Sequence, residues 1–296
     1  MIPRARERDW KAIDAADETI RCKCGRPECV VARIQPFREH ISELYRTIAA
    51  CHWQRILTPE WEAVLYPLQM AASIHDVQAD TGYVDDTMAY AHCESVSEYE
   101  NAHSIVASEY VAALSIFTFV WTAYEAAVMA TEPNAFSGEA ARGENGKRGR
   151  LLTEIHSNLF DEFEGISNFA NAADAHCNVG GLFDERLEKV RTRYPVKDFV
   201  FAAELVREFR NHLFHGEDQA PEPEQWSEPR ETRCRIYRFY DVARLALFLI
   251  QLMACIGVET EPDVAFKHDP ETDEELYEKP RVVFARLHLR SGIEDV

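Results

Sequence analysis

Apolar side chains recur at steps of three and four along most of the chain, a spacing that lines one face of a helix. The first such segment follows Pro36. A second opens at Thr58-Pro59, where a capping residue precedes a proline in the first turn. Together these segments predict a helical hairpin. Residues 76–101 are acidic and weakly patterned, so we predict a connector there that holds one further helix at most.

The same periodicity predicts helices further along the chain, at 105–130, 151–169, 182–193, 198–216 and 242–258. Breaks in the pattern predict loops at 132–149 and 171–181. Arg281–Arg290 instead alternates apolar and basic side chains, as a short strand does. The predicted fold class is therefore all-α: an up-and-down helical bundle with an N-terminal helical extension and a short C-terminal tail or strand.

Composition narrows the classes of function. With 46% hydrophobic residues, a chain of 296 residues can bury a sizeable core. Its 51 acidic and 32 basic side chains give a net charge of -19, which disfavours a general electrostatic grip on nucleic acid or on an anionic membrane. An anionic ligand must therefore be met by a local positive surface.

Two stretches concentrate basic side chains, at 142–150 and 230–238. A glycine-rich basic loop such as the first can present amides and cations to phosphates, but it lacks the Gly-Lys-Ser or Gly-Lys-Thr ending of a P-loop. Its alternative interpretation is a solvated loop. The arginines of the second stretch have an alternative role at a helix start or in pairing with the acidic C-terminal region.

Two stretches are apolar enough to suggest membrane spans, Tyr110–Ala130 and Val242–Val258. The first carries Glu125 and the second Arg244, and we predict that both are core helices and expect no membrane association. Eight cysteines at irregular spacing, with an N-terminus that lacks a signal-peptide pattern, favour the cytoplasm.

A candidate metal site lies in Cys22-Lys-Cys24-Gly-Arg-Pro-Glu-Cys29. The turn made by its glycine and proline lets neighbouring thiolates converge on one tetrahedral zinc ion. Three ligands are local, and a fourth would come from elsewhere in the chain. The alternatives are a structural zinc held by Cys22, Cys24 and Cys29, and three ordinary thiols. A catalytic zinc is disfavoured.

Glu125 interrupts the apolar helix predicted at 105–130. A buried carboxylate must be paired or hydrogen-bonded, so a buried Glu125 predicts a basic partner on a neighbouring helix. Alternatively, Glu125 lies near the end of the helix and points to water.

The densest polar chemistry lies in Phe209-Arg210-Asn211-His212-Leu213-Phe214-His215-Gly216. Arg210 and His215 are about 500° apart on an ideal helix, so they meet on one side only if the helix unwinds at His215. Gly216 permits that unwinding, because glycine readily takes a left-handed conformation. His212 shares a face with Phe209 and is interpreted as a packing or capping residue. Without any catalytic role, arginine and histidine here would stabilise the helix end.

The pattern Arg210-Asn211-x-x-x-His215, at the end of a helix and followed by glycine, resembles the Arg-x(4–6)-His signature of the HEPN superfamily. The order of the predicted helices over residues 101–260 also resembles that family's helical bundle. The chain then divides into an N-terminal helical region with the cysteine knuckle at 1–100, an HEPN-like bundle at 101–260, and an acidic tail with the short strand at 261–296.

The resemblance implies a metal-independent endoribonuclease, without a cofactor for catalysis, that acts as a toxin or antiphage defence effector. His215 would be the general acid or base and Arg210 would hold the phosphate. Asn211 would orient the histidine or the phosphate. The expected products are a 2',3'-cyclic phosphate and a 5'-hydroxyl. Glu125 would support the site by pairing with Arg210 or Arg207, and His212 would support it by packing.

The implied partners are RNA, with tRNA as one candidate, a second copy of the chain that completes a composite active site, and an antitoxin or other regulatory protein. The candidate residues for RNA contact are Arg142, Lys147, Arg148, Arg150, Arg233, Arg235 and Arg238. The alternative function is a non-catalytic HEPN-like module that dimerises or binds a protein. A zinc-dependent enzyme that uses the cysteine knuckle is a third interpretation.

Overall fold

The computed structural model confirms the all-α fold class for the part of the chain that it describes: residues 13, 16–17, 29–84, 93–131, 145–179, 183–216, 218–223, 229–258, 262–268 and 275–290. Its α-helices are α1 (Val30–Arg33), α2 (Phe37–Trp53), α3 (Glu62–Ser73), α4 (Glu94–Thr131), α5 (Asn145–Ile155), α6 (Ile166–Cys177), α7 (Asp184–Arg193), α8 (Phe199–Phe214), α9 (Pro229–Gly257) and α10 (Pro280–Arg286). Short 3-10 helices lie at Pro59–Trp61, Thr81–Val84 and Ser157–Glu162.

The helix predicted at 105–130 is α4, and it begins eleven residues earlier than its apolar pattern does. The added turns are polar, and they hold the preceding connector. Ser104 Oγ accepts a hydrogen bond from the Thr81 amide at 3.1 Å, and Ser108 Oγ accepts one from the Ala79 amide at 2.9 Å. The boundary predicted after residue 100 therefore falls inside α4. Buried side chains on both sides of that boundary join one apolar core.

The glycine-rich break was predicted too long, because α5 begins inside it at Asn145. The two glycines of this first turn and a half allow close helix packing. A Cβ at Gly149 would lie only 2.0 Å from the Tyr124 hydroxyl, and one at Gly146 would lie 3.1 Å from Cη2 of Trp121. Glycine at these positions therefore lets α5 approach α4 closely, so the loop interpretation is wrong for residues 145–149.

The single helix predicted at 151–169 is also wrong, because the chain forms two α-helices there with a 3-10 turn between them. Gly165 separates them at φ 89°, a left-handed conformation that favours glycine. The second of these helices, α6, continues to Cys177 and occupies most of the loop predicted at 171–181.

Helix α8 has the ends that its sequence predicts. The carboxylate of Asp198 caps it by accepting hydrogen bonds from the amides of Val200 and Phe201, at 2.9 and 3.0 Å. The helix ends at Phe214, and Gly216 follows at φ 70°. Local signals were sufficient here because each cap depends on residues within a few positions of it.

Helix α9 extends without a break through the segment 230–238, which was predicted to lie outside the last core helix. It is buried from Ile236 to Cys255, and it packs against α4, α6, α2 and α10. Such a buried helix needs partners for its polar side chains. Arg244 donates to the Gln35 carbonyl at 3.1 Å and to Asp17, and Gln251 hydrogen-bonds His40 at 2.7 Å.

The strand predicted at 281–290 is wrong, because this segment begins with α10. Pro280 occupies the first turn of the helix, and Pro280, Phe284 and His288 recur at the four-residue spacing of one buried helix face. The strands lie earlier, in the predicted acidic tail, where β1 (Val264–His268) pairs antiparallel with β2 (Glu275–Glu278). An isolated bridge also joins Ile34 to Leu289.

Two of the described helical segments, Glu94–Thr131 and Glu231–Gly257, are long and apolar enough to cross a bilayer by length and composition. The most apolar window of the second is 94% buried inside the protein, as a core helix is, whereas that of the first is 50% buried. Helix α4 therefore keeps one side partly exposed, although Val111, Leu114 and Ala126 on that side still pack against the core.

Candidate functional site

Arg210 lies in the last turn of α8, beside two aromatic rings. Its guanidinium carbon is 4.6 Å from the ring centroid of Phe214 and 5.8 Å from that of Trp121 on α4. One terminal nitrogen donates to the side-chain oxygen of Asn211 at 3.3 Å. The Nε–H of Arg210 is buried and has no hydrogen-bond partner within the described part of the chain. The guanidinium is thus positioned largely by aromatic contacts, and a ligand from solution would have to meet its terminal nitrogens.

His215 is the residue that follows the end of α8, and its side chain is exposed. Its amide still donates to the Asn211 carbonyl at 3.1 Å, whereas the amide of Gly216 turns back to the Leu213 carbonyl, also at 3.1 Å. The regular helix therefore ends just before His215, as the sequence predicts. Asn211 contacts the arginine through its side chain, so in this structure it orients Arg210.

His212 is fully buried and packs edge-on against Phe183, with ring centroids 5.3 Å apart. This placement confirms the prediction that the histidine within the motif is a packing residue. His215 is therefore the histidine of the motif that a ligand in solution can reach.

Glu125 is half-buried on α4, one turn after Trp121. Burial raises the pKa of its carboxyl group, and the positive charge of Arg210 partly opposes that shift. Of the two arginines predicted as partners, Arg210 is therefore the one whose charge acts on Glu125. Arg207 instead donates to Glu204 at 3.0 and 3.1 Å and also to Glu208.

The basic start of α5 lies beside the end of α8, because the two helices pack in opposite directions. A Cβ at Gly146 would lie 2.9 Å from Cγ of Arg207, and further along α5 the Arg150 Nε is 3.6 Å from Glu204. The N-terminus of α5 thus points toward the turn that holds Arg210. The partial positive charge of a helix N-terminus favours an anion there.

The predicted basic residues of this stretch have different environments. Lys147 is exposed, whereas Arg148 is half-buried with a terminal nitrogen 2.9 Å from the Met129 sulfur. Arg150 pairs with Glu154 at 2.6 Å and donates to the Tyr194 hydroxyl at 2.9 Å, so a role for it in RNA contact is not supported. Arg142 lies outside the described residues.

Two arginines of the segment 230–238, Arg235 and Arg238, bind the chain that follows the motif. The side chain of Arg238 is fully buried and paired with Asp218, and its guanidinium carbon is 5.6 Å from the ring centroids of both Phe209 and Phe239. Arg235 donates to the Gln219 carbonyl at 2.8 Å. Direct RNA contact by Arg238 is therefore wrong, because a surface ligand cannot reach it. Arg233 is exposed.

One face of α4 stays partly exposed and mixes apolar side chains with three hydroxyls and the Glu125 carboxylate. Its hydroxyls donate to carbonyls one turn back: Ser115 to Val111 at 2.7 Å, Thr118 to Leu114 at 2.8 Å, and Thr122 to Thr118 at 2.9 Å. We call this surface the outer face of α4; its members are Val111, Leu114, Ser115, Thr118, Thr122, Glu125, Ala126 and Met129. This face borders Arg210, whose guanidinium lies against Trp121 and whose charge acts on Glu125.

A metal centre gains no support from the residues that the structure describes, where no group of three or more histidines, cysteines or acids is placed to hold an ion. Of the predicted thiolate ligands, Cys22 and Cys24 lie outside those residues, and Cys29 precedes α1 in a half-buried position. Zinc at the knuckle remains a prediction.

The feature that sequence reasoning missed is the aromatic contact of Arg210. Phe214 could have been found, because positions four apart lie on one helix face. Trp121 could not, since it reaches Arg210 from another helix. No family model matches the chain, and comparison with curated proteins and with solved structures finds no match. The site is therefore interpreted from its own physical chemistry.

Proposed function

We propose that the protein is a metal-independent endoribonuclease of the HEPN type, acting as a cytoplasmic homodimer in a toxin or antiphage defence role. The observation that carries the proposal is the end of α8, where the exposed His215 follows, by little more than one turn, an Arg210 that aromatic rings hold in place. Cleavage by the 2'-hydroxyl requires a base and a cation that meets the phosphate, and this helix end carries one residue of each kind.

In the proposed reaction, neutral His215 accepts the proton of the ribose 2'-hydroxyl as the 2'-oxygen attacks the adjacent phosphorus. The bond between phosphorus and the 5'-oxygen breaks, and the leaving oxygen takes a proton. The products are a 2',3'-cyclic phosphate and a 5'-hydroxyl. The Arg210 guanidinium stabilises the charge that builds on the phosphoryl oxygens, a task suited to its fork of donors.

One histidine cannot be base and acid in the same step, and a second copy of the chain supplies the other. The outer face of α4 supports this arrangement because its hydroxyl donors are already used within the helix. Burying that face would remove its apolar area from water and leave the hydroxyl hydrogen bonds intact, whereas the Glu125 carboxylate would need a partner. The face borders Arg210, so a partner helix packed on it would bring the second motif close.

A protein of charge -19 also needs a local positive field where RNA binds. The end of α8 has three sources of such a field: Arg210, the N-terminus of α5, and the exposed Lys147 near that N-terminus. Arg233 is the second exposed candidate among the described residues.

The proposal is tested by incubating the purified protein with tRNA and with total RNA in EDTA, then mapping the ends of the products. We expect cleavage that leaves cyclic phosphate and 5'-hydroxyl ends, and at least a 100-fold loss of rate in His215→Ala and in Arg210→Ala. His75→Ala is the matched control, since His75 is also exposed but lies in the connector after α3.

Cleavage that needs a divalent ion, or that survives both motif substitutions, would overturn the proposal. A stable dimer or a complex with another protein, together with unchanged RNA, would instead support the non-catalytic interaction module.

A further inference from the structure

Phe214 is exposed although it is a large aromatic side chain in a helix that otherwise packs well. Its relative exposure is 59%, whereas the preceding Leu213 packs against the core. In sequence it lies four residues after Arg210 and immediately before His215, and one side of its ring faces the Arg210 guanidinium at 4.6 Å. An aromatic ring is therefore available to a ligand within the proposed catalytic motif.

The chemistry of this ring limits what it can recognise. A ring with a cation on one side and solvent on the other offers a flat apolar surface, which a second flat ring can cover. Nucleobases have that shape, and proteins that bind unpaired RNA commonly stack them on aromatic side chains. Bases inside a duplex are already stacked on each other, so they cannot use such a surface.

We infer that Phe214 is a stacking platform for an unpaired nucleobase next to the scissile phosphate. The inference rests on the proposed function and adds a specificity residue to it. Arg210 links the two parts, because its guanidinium contacts the ring and carries the positive charge that a phosphate would meet. A base on Phe214 would bring its phosphate toward that charge.

The test measures binding in the His215→Ala background, which prevents turnover, with three fluorescent ligands of equal length. These are a single-stranded RNA 12-mer, its perfect duplex, and an abasic strand with the same phosphates. We expect the single strand to bind best. Phe214→Leu should weaken its binding about 10-fold, to the level of the abasic strand, and Phe214→Tyr should restore it. Tyr66→Leu, at an exposed aromatic on α3, is the matched control.

The outcomes separate this inference from the proposed function. Equal affinity for single strand, duplex and abasic strand, or no effect of Phe214→Leu, overturns the platform even if the wild type cleaves RNA through His215. Stacking that depends on Phe214 without any cleavage overturns the nuclease but keeps the platform as a binding site. A change of mass in solution on Phe214→Leu, with RNA affinity unchanged, assigns the ring to contact between copies and overturns the inference.

Discussion

Replacing Gly149 by alanine tests whether α5 packs on α4 as closely as the structure requires. The added methyl group would lie 2.0 Å from the Tyr124 hydroxyl, 2.7 Å from its Cζ and 3.0 Å from Cγ2 of Val128. Ordinary contacts between such atoms are about 3.5–4.0 Å. Tyr124 is fully buried, so its ring cannot swing away into solvent.

The magnitude follows from two opposing effects. Alanine gains about 1 kcal/mol over glycine inside a helix. Overpacking a core costs about 1–3 kcal/mol, and a methyl group that needs more than an ångström of movement belongs at or above the upper end. We therefore expect Gly149→Ala to lower the free energy of unfolding by about 2 kcal/mol, with a fall of about 3 °C in Tm.

Chemical denaturation followed by circular dichroism measures this change. Gly146→Ala is the matched control in the same helix, because its new methyl group would meet the flexible Arg207 at 2.9 Å and Trp121 at 3.1 Å, a smaller overlap, and we expect a loss of less than about 1 kcal/mol. Adding Tyr124→Phe to Gly149→Ala should recover part of the loss, since it removes the atom in closest contact. A neutral or stabilising Gly149→Ala would refute the close packing.

Three further outcomes can be checked on the same protein. Arg238→Met should lower the free energy of unfolding by about 3 kcal/mol in denaturation, because it leaves the buried Asp218 carboxylate with only the more distant Arg235, at 3.9 Å, as a cation; a loss below about 1 kcal/mol would contradict the buried pair. Burial lowers the pKa of His288 to about 3 and that of His40 below its usual value, so both are neutral when folded. The unfolded chain binds protons on both histidines as the pH falls below about 6.5, so the free energy of unfolding should drop by about 1.4 kcal/mol per pH unit for each of them. Urea titrations at a series of pH values measure this drop, and His288→Gln should make it smaller. Asp198→Ala should cost about 1 kcal/mol, and thermal melting that shows no change would contradict the observed cap on α8.

The ends of α8 could be predicted from sequence because Asp198 and Gly216 act on the backbone next to them. The glycines of α5 were misinterpreted because glycine serves both flexible loops and close helix contacts, and only the position of Tyr124 distinguishes these uses. The alternation of apolar and basic side chains in residues 281–290 was misinterpreted for a similar reason. Pro280 and Phe284 lie four positions apart, a spacing that places them on one face of a helix.

Within the candidate site, Arg210 and His215 could be proposed from sequence because the pattern that names them is local to one helix end. The role of Arg238 could not be found in this way. A cluster of arginines in sequence suggests an exposed basic surface. The burial of Arg238 depends instead on its ion pair with Asp218 and on its contacts with Phe209 of α8 and the adjacent Phe239. Charge alone does not say which arginine is taken into the core.

The bridge between Ile34 and Leu289 has a consequence for synthesis of the chain. The Arg290 amide also donates to the Arg33 carbonyl at 2.7 Å, and His288 hydrogen-bonds the Glu164 carbonyl at 2.8 Å, so the last described turn ties together regions made much earlier. A nascent chain that has reached only Gly216 contains the complete motif but none of these ties. The amide and the side chain of Gln35 donate to the His288 and Leu287 carbonyls, so they lack these partners until residues beyond α10 leave the ribosome. Ribosome stalling before that point should leave an intermediate that proteases cut readily within α2.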